Sequence, residues 1–166
     1  MHMNLAKKAL LPACLAIVLL SIARAADPPP LKEGLWEISG QSIQNPGEKR
    51  TDFKYQICRN HAYDNAMDAL EKNAKGCTTS FDDLGGGHFA SSSSCNFDGT
   101  LIVSKGTYTY ESMTSTHSES YATYSPAYKG KTDEHVVQDQ HYLGGCPPGM
   151  KPGDRITGSA LLRYRN

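Results

Sequence analysis

The chain has 166 residues, with 17 Lys and Arg against 17 Asp and Glu, so it carries no formal net charge at pH 7 with neutral histidines. That length suits one domain of ordinary size, and the charge balance lacks the basic excess of a nucleic-acid binder. No segment after residue 25 approaches the apolar length of a membrane-spanning helix, about 20 residues.

Residues 1–25 read as a Sec-type signal peptide. A basic start ends at Lys7-Lys8, an apolar run covers Ala9 to Ile22, and Ala23-Arg24-Ala25 fits the small-x-small cleavage pattern. The 14-residue apolar run is short for a spanning helix, and Asp27 with Pro28, Pro29 and Pro30 blocks its continuation. Leu11-Pro12-Ala13-Cys14 is a poor lipidation site, because the apolar run continues past the cysteine. Cleavage after Ala25 leaves 141 residues, Ala26 to Asn166. It removes Lys7, Lys8 and Arg24, so 14 basic residues face 17 acidic ones and the net charge becomes −3. The expected location is the periplasm, or outside the cell, with no integral membrane segment once the leader is removed.

Residues 26–33 form a Pro-rich leader to the domain. A first strand starts at Leu35-Trp36-Glu37-Ile38, with Trp36 and Ile38 on one face. Asn45 to Glu48 is a turn, and a second strand over 51–58 puts Phe53, Tyr55 and Ile57 on one face. From His61 to Ala74 the apolar residues Ala62, Tyr63, Ala66, Met67, Leu70 and Ala74 follow helical spacing. Asn60 caps that helix, Gly76 stands past its end, and the stripe is expected to pack on a sheet.

After Gly76, Ser, Thr, Tyr and Gly dominate. Turn signals at Gly85-Gly86-Gly87, Asp98-Gly99, Lys105-Gly106 and Lys129-Gly130 divide this stretch into strands over 77–84, 88–97, 100–104, 107–124 and 131–143. Tyr108 and Tyr110 share one strand face. In the last strand His135, Val137, Asp139 and His141 lie on one side, and Val136, Gln138 and Gln140 on the other. Neither side is cleanly apolar, which fits an edge strand or the lining of something wet. Residues 144–154 are a loop, and 156–164 a last strand or a loose tail. The expected fold class is mostly β, or α+β: an antiparallel curved sheet or partial barrel with one short helix and two disulfides. A single domain covers 34–146, and 147–166 is a C-terminal loop with a last strand.

The exported part holds four cysteines, Cys58, Cys77, Cys95 and Cys146, none in CxxC spacing, so they read as structural disulfides. Cys77 lies nine residues before Gly86 and Cys95 nine after it, so a hairpin closed by those glycines sets the two opposite each other. Cys58 then pairs with Cys146.

Gly34-Leu35-Trp36-Glu37, the cysteine before a short helix, the pair bracketing a hairpin and Gly144-Gly145-Cys146 together resemble the exported bacterial family catalogued as domain of unknown function 3617, over residues 31–146. The resemblance implies no activity, and residues 147–166 extend beyond its pattern. Gly34-Leu35-Trp36 is also similar to the G-x-W of lipocalins. That likeness favours a barrel-like sheet and implies a basic side chain from the chain end, Arg163 or Arg165, over Trp36.

No catalytic motif stands out, so no catalytic residue, metal ligand or cofactor is assigned. His135 and His141 share a face but lie about 20 Å apart along a strand, too far for one ion. There is no G-x-S-x-G, and Ser91 to Ser94 read as a strand segment facing Thr78 to Phe81. Glu37, Glu111 and Glu119 are the carboxylates available for a hydrolytic pair. The binding candidates are Trp36, Tyr108, Tyr110, Tyr121 and Tyr124, since aromatic rings with polar edges suit a wet cavity. The expectation is an exported, non-enzymatic domain that binds a small apolar ligand or an envelope protein. Against it stand a hydrolase or metal-dependent enzyme with an unfamiliar site, and a purely structural envelope protein.

Overall fold

The alternation of side chains along the first strand decides what becomes core. In the computed structural model, which describes residues 28–163, Trp36 and Ile38 are buried to 0% and 3% exposure, while Leu35 and Glu37, which alternate with them, are half-buried. The same parity carries to the paired strands, so Tyr55, Ile57 and Tyr142 share this inner face with Trp36 and Ile38, as do the polar Gln138 and Gln140.

Among the described residues the elements are β1 (Gly34–Asn45), β2 (Lys49–Arg59), α1 (His61–Lys72), β3 (Cys77–Gly85), β4 (His88–Phe97), β5 (Thr100–Ser112), β6 (Ser115–Tyr128), β7 (Lys131–Gly144), β8 (Arg155–Thr157) and β9 (Ala160–Leu162). The strands join antiparallel into one sheet in the order β3-β4-β5-β6-β7-β1-β2-β8-β9. The sheet is open, with β3 and β9 as its outer strands. It is also strongly curved. Arg59 of β2 and Tyr110 of β5 line one cleft, although β1, β7 and β6 lie between them in the sheet. The mostly-β fold with one short helix agrees with the expectation from the sequence.

Trp36, Ile38, Ile57 and Leu31 form the buried centre, with Phe53, Tyr55, Tyr63, Tyr110 and Tyr142 packed around it. Leu31 belongs to the leader, so that segment is part of the fold. His61 Nε2 meets the Leu31 carbonyl at 2.9 Å, and the indole Nε1–H of Trp36 donates to the Lys32 carbonyl at 2.8 Å. Gly40 faces Phe53 across β1 and β2, where the ring covers the missing side chain.

The hairpin β3–β4 has the register read from the sequence. Cys77 stands opposite Cys95, and Thr78 to Phe81 stand opposite Ser94 to Ser91. Disulfides join Cys77 to Cys95 and Cys58 to Cys146.

Five expectations are corrected. Lys105-Gly106 is not a turn: β5 runs straight through it. A Cβ on Gly106 would meet Ser91 Oγ at 3.1 Å and Ser120 Cβ at 3.3 Å, so the glycine serves a close approach of strands. The chain turns instead at Met113-Thr114, splitting the expected 107–124 strand. Of the two readings of β7, the edge strand fails, since it pairs with both β6 and β1, whereas Gln138 and Gln140 do line a hollow. The helical stripe does not pack flat: Tyr63 and Met67 are half-buried, whereas Leu70 is 64% exposed and no residue of α1 is fully buried. The basic group over Trp36 is Arg59, not Arg163, which bonds Asp154 at 2.8 Å. Residues 1–25 and Arg165 lie outside the described residues. The segment after Cys146 forms the hairpin β8–β9, which extends the sheet from β2.

Candidate functional site

β2 carries Phe53, Tyr55 and Ile57 on its inner face, and Arg59 continues that same parity. A guanidinium therefore stands at the end of an apolar stripe. Its Nε–H donates to Asp64 Oδ1 at 2.8 Å and its Nη1 to Gln140 Oε1 at 2.7 Å. Asp64 lies in the first turn of α1, whose start is fixed by Asn60: its side-chain oxygen accepts from the Tyr63 N–H at 2.8 Å. The Arg59–Asp64 pair, with side chains 18% and 21% exposed, thus fastens the helix over the sheet.

Two hollows lie beside this pair. One, about 200 Å³, has Ile38, Tyr55 and Ile57 on its sheet side, Tyr63 and Met67 on the helix, and Gln138, Gln140 and Arg155 around them. The other, about 350 Å³, is bounded by Pro28, Pro29, Pro30, Leu31, His61, Asn65 and Tyr110. Arg59, Asp64 and Asp68 line both. Both lie on the side of α1 that carries Asp64 and Asp68. Burial, followed by the nearby Asp68, pushes the Tyr110 hydroxyl up to about 12. Burial and then Glu71 also raise Tyr108. Tyr110 is therefore neutral at ordinary pH and presents a hydroxyl rather than a charge to the larger hollow.

The sequence candidates separate. Tyr108 and Tyr110 lie together on the inner face, packed with Phe81 and Phe89: Phe81–Tyr108 centroids are 5.9 Å apart and Phe89–Tyr110 5.3 Å. Of the tyrosines offered as binding candidates, Tyr110 alone lines either of these two hollows. Trp36 lines neither hollow and lies under Arg59, 5.5 Å from the guanidinium. Tyr124 is on the inner face at the far end of the curve, where its hydroxyl donates to Glu134 Oε2 at 2.9 Å. Tyr121 is on the outer face, 50% exposed, beside His135.

Glu134 is tightly caged. Ser42 Oγ, Gln44 Nε2, Tyr124 OH and Lys131 Nζ all donate to it, at 2.6–2.9 Å. Burial pushes its carboxyl up, but the donations from Lys131, Ser42, Gln44 and Tyr124 outweigh that and hold it down at about 2.

The other candidates are dispersed. His117 meets Asp139, and His135 meets Glu119, each at 2.7 Å; Glu37 pairs with Lys54 at 2.9 Å. Ser115 donates to Glu111 at 2.7 Å and lies 3.2 Å from His141 Nδ1, in an exposed position. The three glutamates singled out for hydrolysis thus have three different partners. Among the described residues no group of three His, Cys, Asp or Glu is placed to hold a metal ion. Also among the described residues, no helix is long and apolar enough to cross a membrane.

The sequence reading missed Arg59, Asp64, Asp68 and Arg155. One signal was present: a charge at Arg59 in phase with Phe53, Tyr55 and Ile57 marks a cation aimed at an inner face. Arg155 gave none, because its importance comes from tertiary proximity alone.

A family model described as "Protein of unknown function (DUF3617)" matches residues 31–146, and the chain belongs to that family. The match includes α1, Arg59, Tyr110 and both disulfides, whereas Arg155 and the hairpin β8–β9 lie beyond it. The comparison with curated proteins gives no match.

Proposed function

We propose that this chain is an exported, non-enzymatic binding domain that holds a small, largely apolar ligand between α1 and the inner face of the curved sheet. The observation that carries the reading is the unfilled space beneath the helix. A sheet and a helix with complementary apolar stripes normally close on each other. Here they leave hollows of about 200 and 350 Å³ in which Ile38, Ile57, Met67, Leu31 and Tyr110 stand beside a comparable number of charged and amide side chains. The larger hollow falls within the size usual for ligand sites, from about 300 Å³ upward. The two disulfides suit an oxidising compartment, and the leader over residues 1–25 supplies the route to it.

The test uses N-phenyl-1-naphthylamine, a neutral aromatic probe that fluoresces in apolar surroundings. Saturable binding to the oxidised chain is expected. Met67→Trp, which fills the smaller hollow, should weaken it, whereas Leu70→Trp on the exposed side of α1 should not. Absence of saturation, or equal effects of the two variants, would overturn the reading. Export is checked by the intact mass of protein recovered from the periplasm, which should begin at Ala26.

A further inference from the structure

We infer that the ligand beneath α1 carries an anionic end group, a carboxylate or its like, which binds Arg59 in exchange for Asp64. This rests on the binding function proposed above and adds the chemical class of the ligand. Arg59 lines both hollows, so any molecule that occupies either one meets its guanidinium. Arginine has five N–H donors in a planar fork, a shape matched by a carboxylate. The two hydrogen bonds to Asp64 and Gln140 leave donor capacity on that fork.

A second guanidinium points to the same chemistry. Arg155 lines the smaller hollow with Arg59, rests on Tyr55 at 5.1 Å, and no ion pair joins it to a carboxylate among the described residues. The amides of Gln138 and Gln140 lie in the same hollow and add neutral donors. Two cations and two amides around an apolar floor of Ile38 and Ile57 suit a molecule with an apolar body and a negative end. Asp68 lines the cleft as well, so the anionic end is placed at Arg59 and Arg155 rather than beside that carboxylate.

Asp64 is a suitable internal stand-in. It comes from the first turn of α1, only five residues from Arg59, and its carboxylate occupies one side of the fork. When a ligand takes its place, the released carboxylate remains beside the N-terminal end of the helix, which favours a negative charge. The exchange therefore does not strand a charge.

The experiment compares two probes with the same aromatic body: 8-anilinonaphthalene-1-sulfonate, which is anionic, and neutral N-phenyl-1-naphthylamine. Both are titrated against the oxidised chain and against Asp64→Asn and Arg155→Gln, with circular dichroism confirming the fold of each. Asp64→Asn removes the internal competitor and should tighten the sulfonate probe about 5-fold, about 1 kcal/mol, with the neutral probe unchanged. Arg155→Gln should weaken the sulfonate probe severalfold, again without moving the neutral one. A sulfonate affinity that is unchanged or lower in Asp64→Asn, with the neutral probe bound normally, overturns this inference and leaves the binding function standing. If the neutral probe itself fails to saturate, the binding function fails and the inference fails with it.

Discussion

The guanidinium of Arg59 lies 5.5 Å from the centre of the Trp36 ring and caps an indole that has no exposure to solvent. One face of that cation therefore serves the core, through a cation–π contact, while other edges of it line the clefts. The Trp36 ring also meets Tyr142 edge-on at 5.9 Å.

Trp36→Ala should accordingly cost about 3–5 kcal/mol, the usual penalty for emptying a large aromatic site. That is a large part of the roughly 5–15 kcal/mol that holds a domain together. It also abolishes the donation from the indole to the Lys32 carbonyl, which ties the leader to β1. Urea unfolding followed by circular dichroism measures the loss, since the fluorophore is gone. A loss below about 1 kcal/mol would contradict a core role for the ring.

The two disulfides should differ in their contribution. Cys58–Cys146 closes 88 residue steps and Cys77–Cys95 closes 18. On the loop-entropy model the longer loop contributes about 1.4 kcal/mol more. Cys58 is also deeply buried, and its backbone bonds Asp154 and Gly153, so this bridge stands where β2 meets the C-terminal segment. Replacing Cys58 and Cys146 by Ala should lower the unfolding midpoint more than replacing Cys77 and Cys95. The reverse order would show that closure length does not govern here.

Where the sequence was legible, a residue's role was local. The Cys77–Cys95 hairpin could be read because the glycine turn and the two cysteines lie within one contiguous segment, and a single register fits them. The helix could be read from its spacing and from Asn60. The place of β7 could not: both its faces are mixed in polarity because one meets the open, partly wet inside of the curve and the other carries Asp139 and His135, each hydrogen-bonded to a side chain of β6. Alternation marks a strand's neighbours only when one side is dry. The cleft was illegible for another reason: Gln140 and Arg155 reach Arg59 and Asp64 only through the strand order β7-β1-β2-β8, which pairs segments far apart in the chain.

Gly106 tests the close approach of strands read at that position. Its sequence context, Lys105-Gly106, resembles a turn, yet it lies within β5, with Ser91 and Ser120 on the neighbouring strands close to where a side chain would begin. Gly106→Val should therefore destabilise the chain by about 1–3 kcal/mol, as overpacking does. Were the residue an ordinary strand glycine with room beside it, Val would stabilise, because it favours extended backbone and Gly does not. The sign of the change in urea midpoint decides between the two.

The caged carboxylate of Glu134 predicts a specific acid sensitivity. Its folded pKa is lowered from 4.5 to about 2, so its contribution is fully present above about pH 5 and is lost as pH falls through that range toward 2. One pKa step is worth about 1.4 kcal/mol, so the full drop sets an upper bound of about 3 kcal/mol. The side chain is 17% exposed, and solvent screening brings the expected contribution to about 1–2 kcal/mol. Glu134→Gln keeps the size of the side chain and removes the charge that Lys131, Ser42, Gln44 and Tyr124 surround. At pH 7 the variant should be less stable than the natural chain by that amount. Near pH 2–3 the natural carboxyl is itself becoming neutral, so the two unfolding midpoints should converge. Urea unfolding at pH 7, 5, 4 and 3 follows the convergence. A gap that stays constant across this range would mean that the four donors fix the shape of the side chain without depending on its charge.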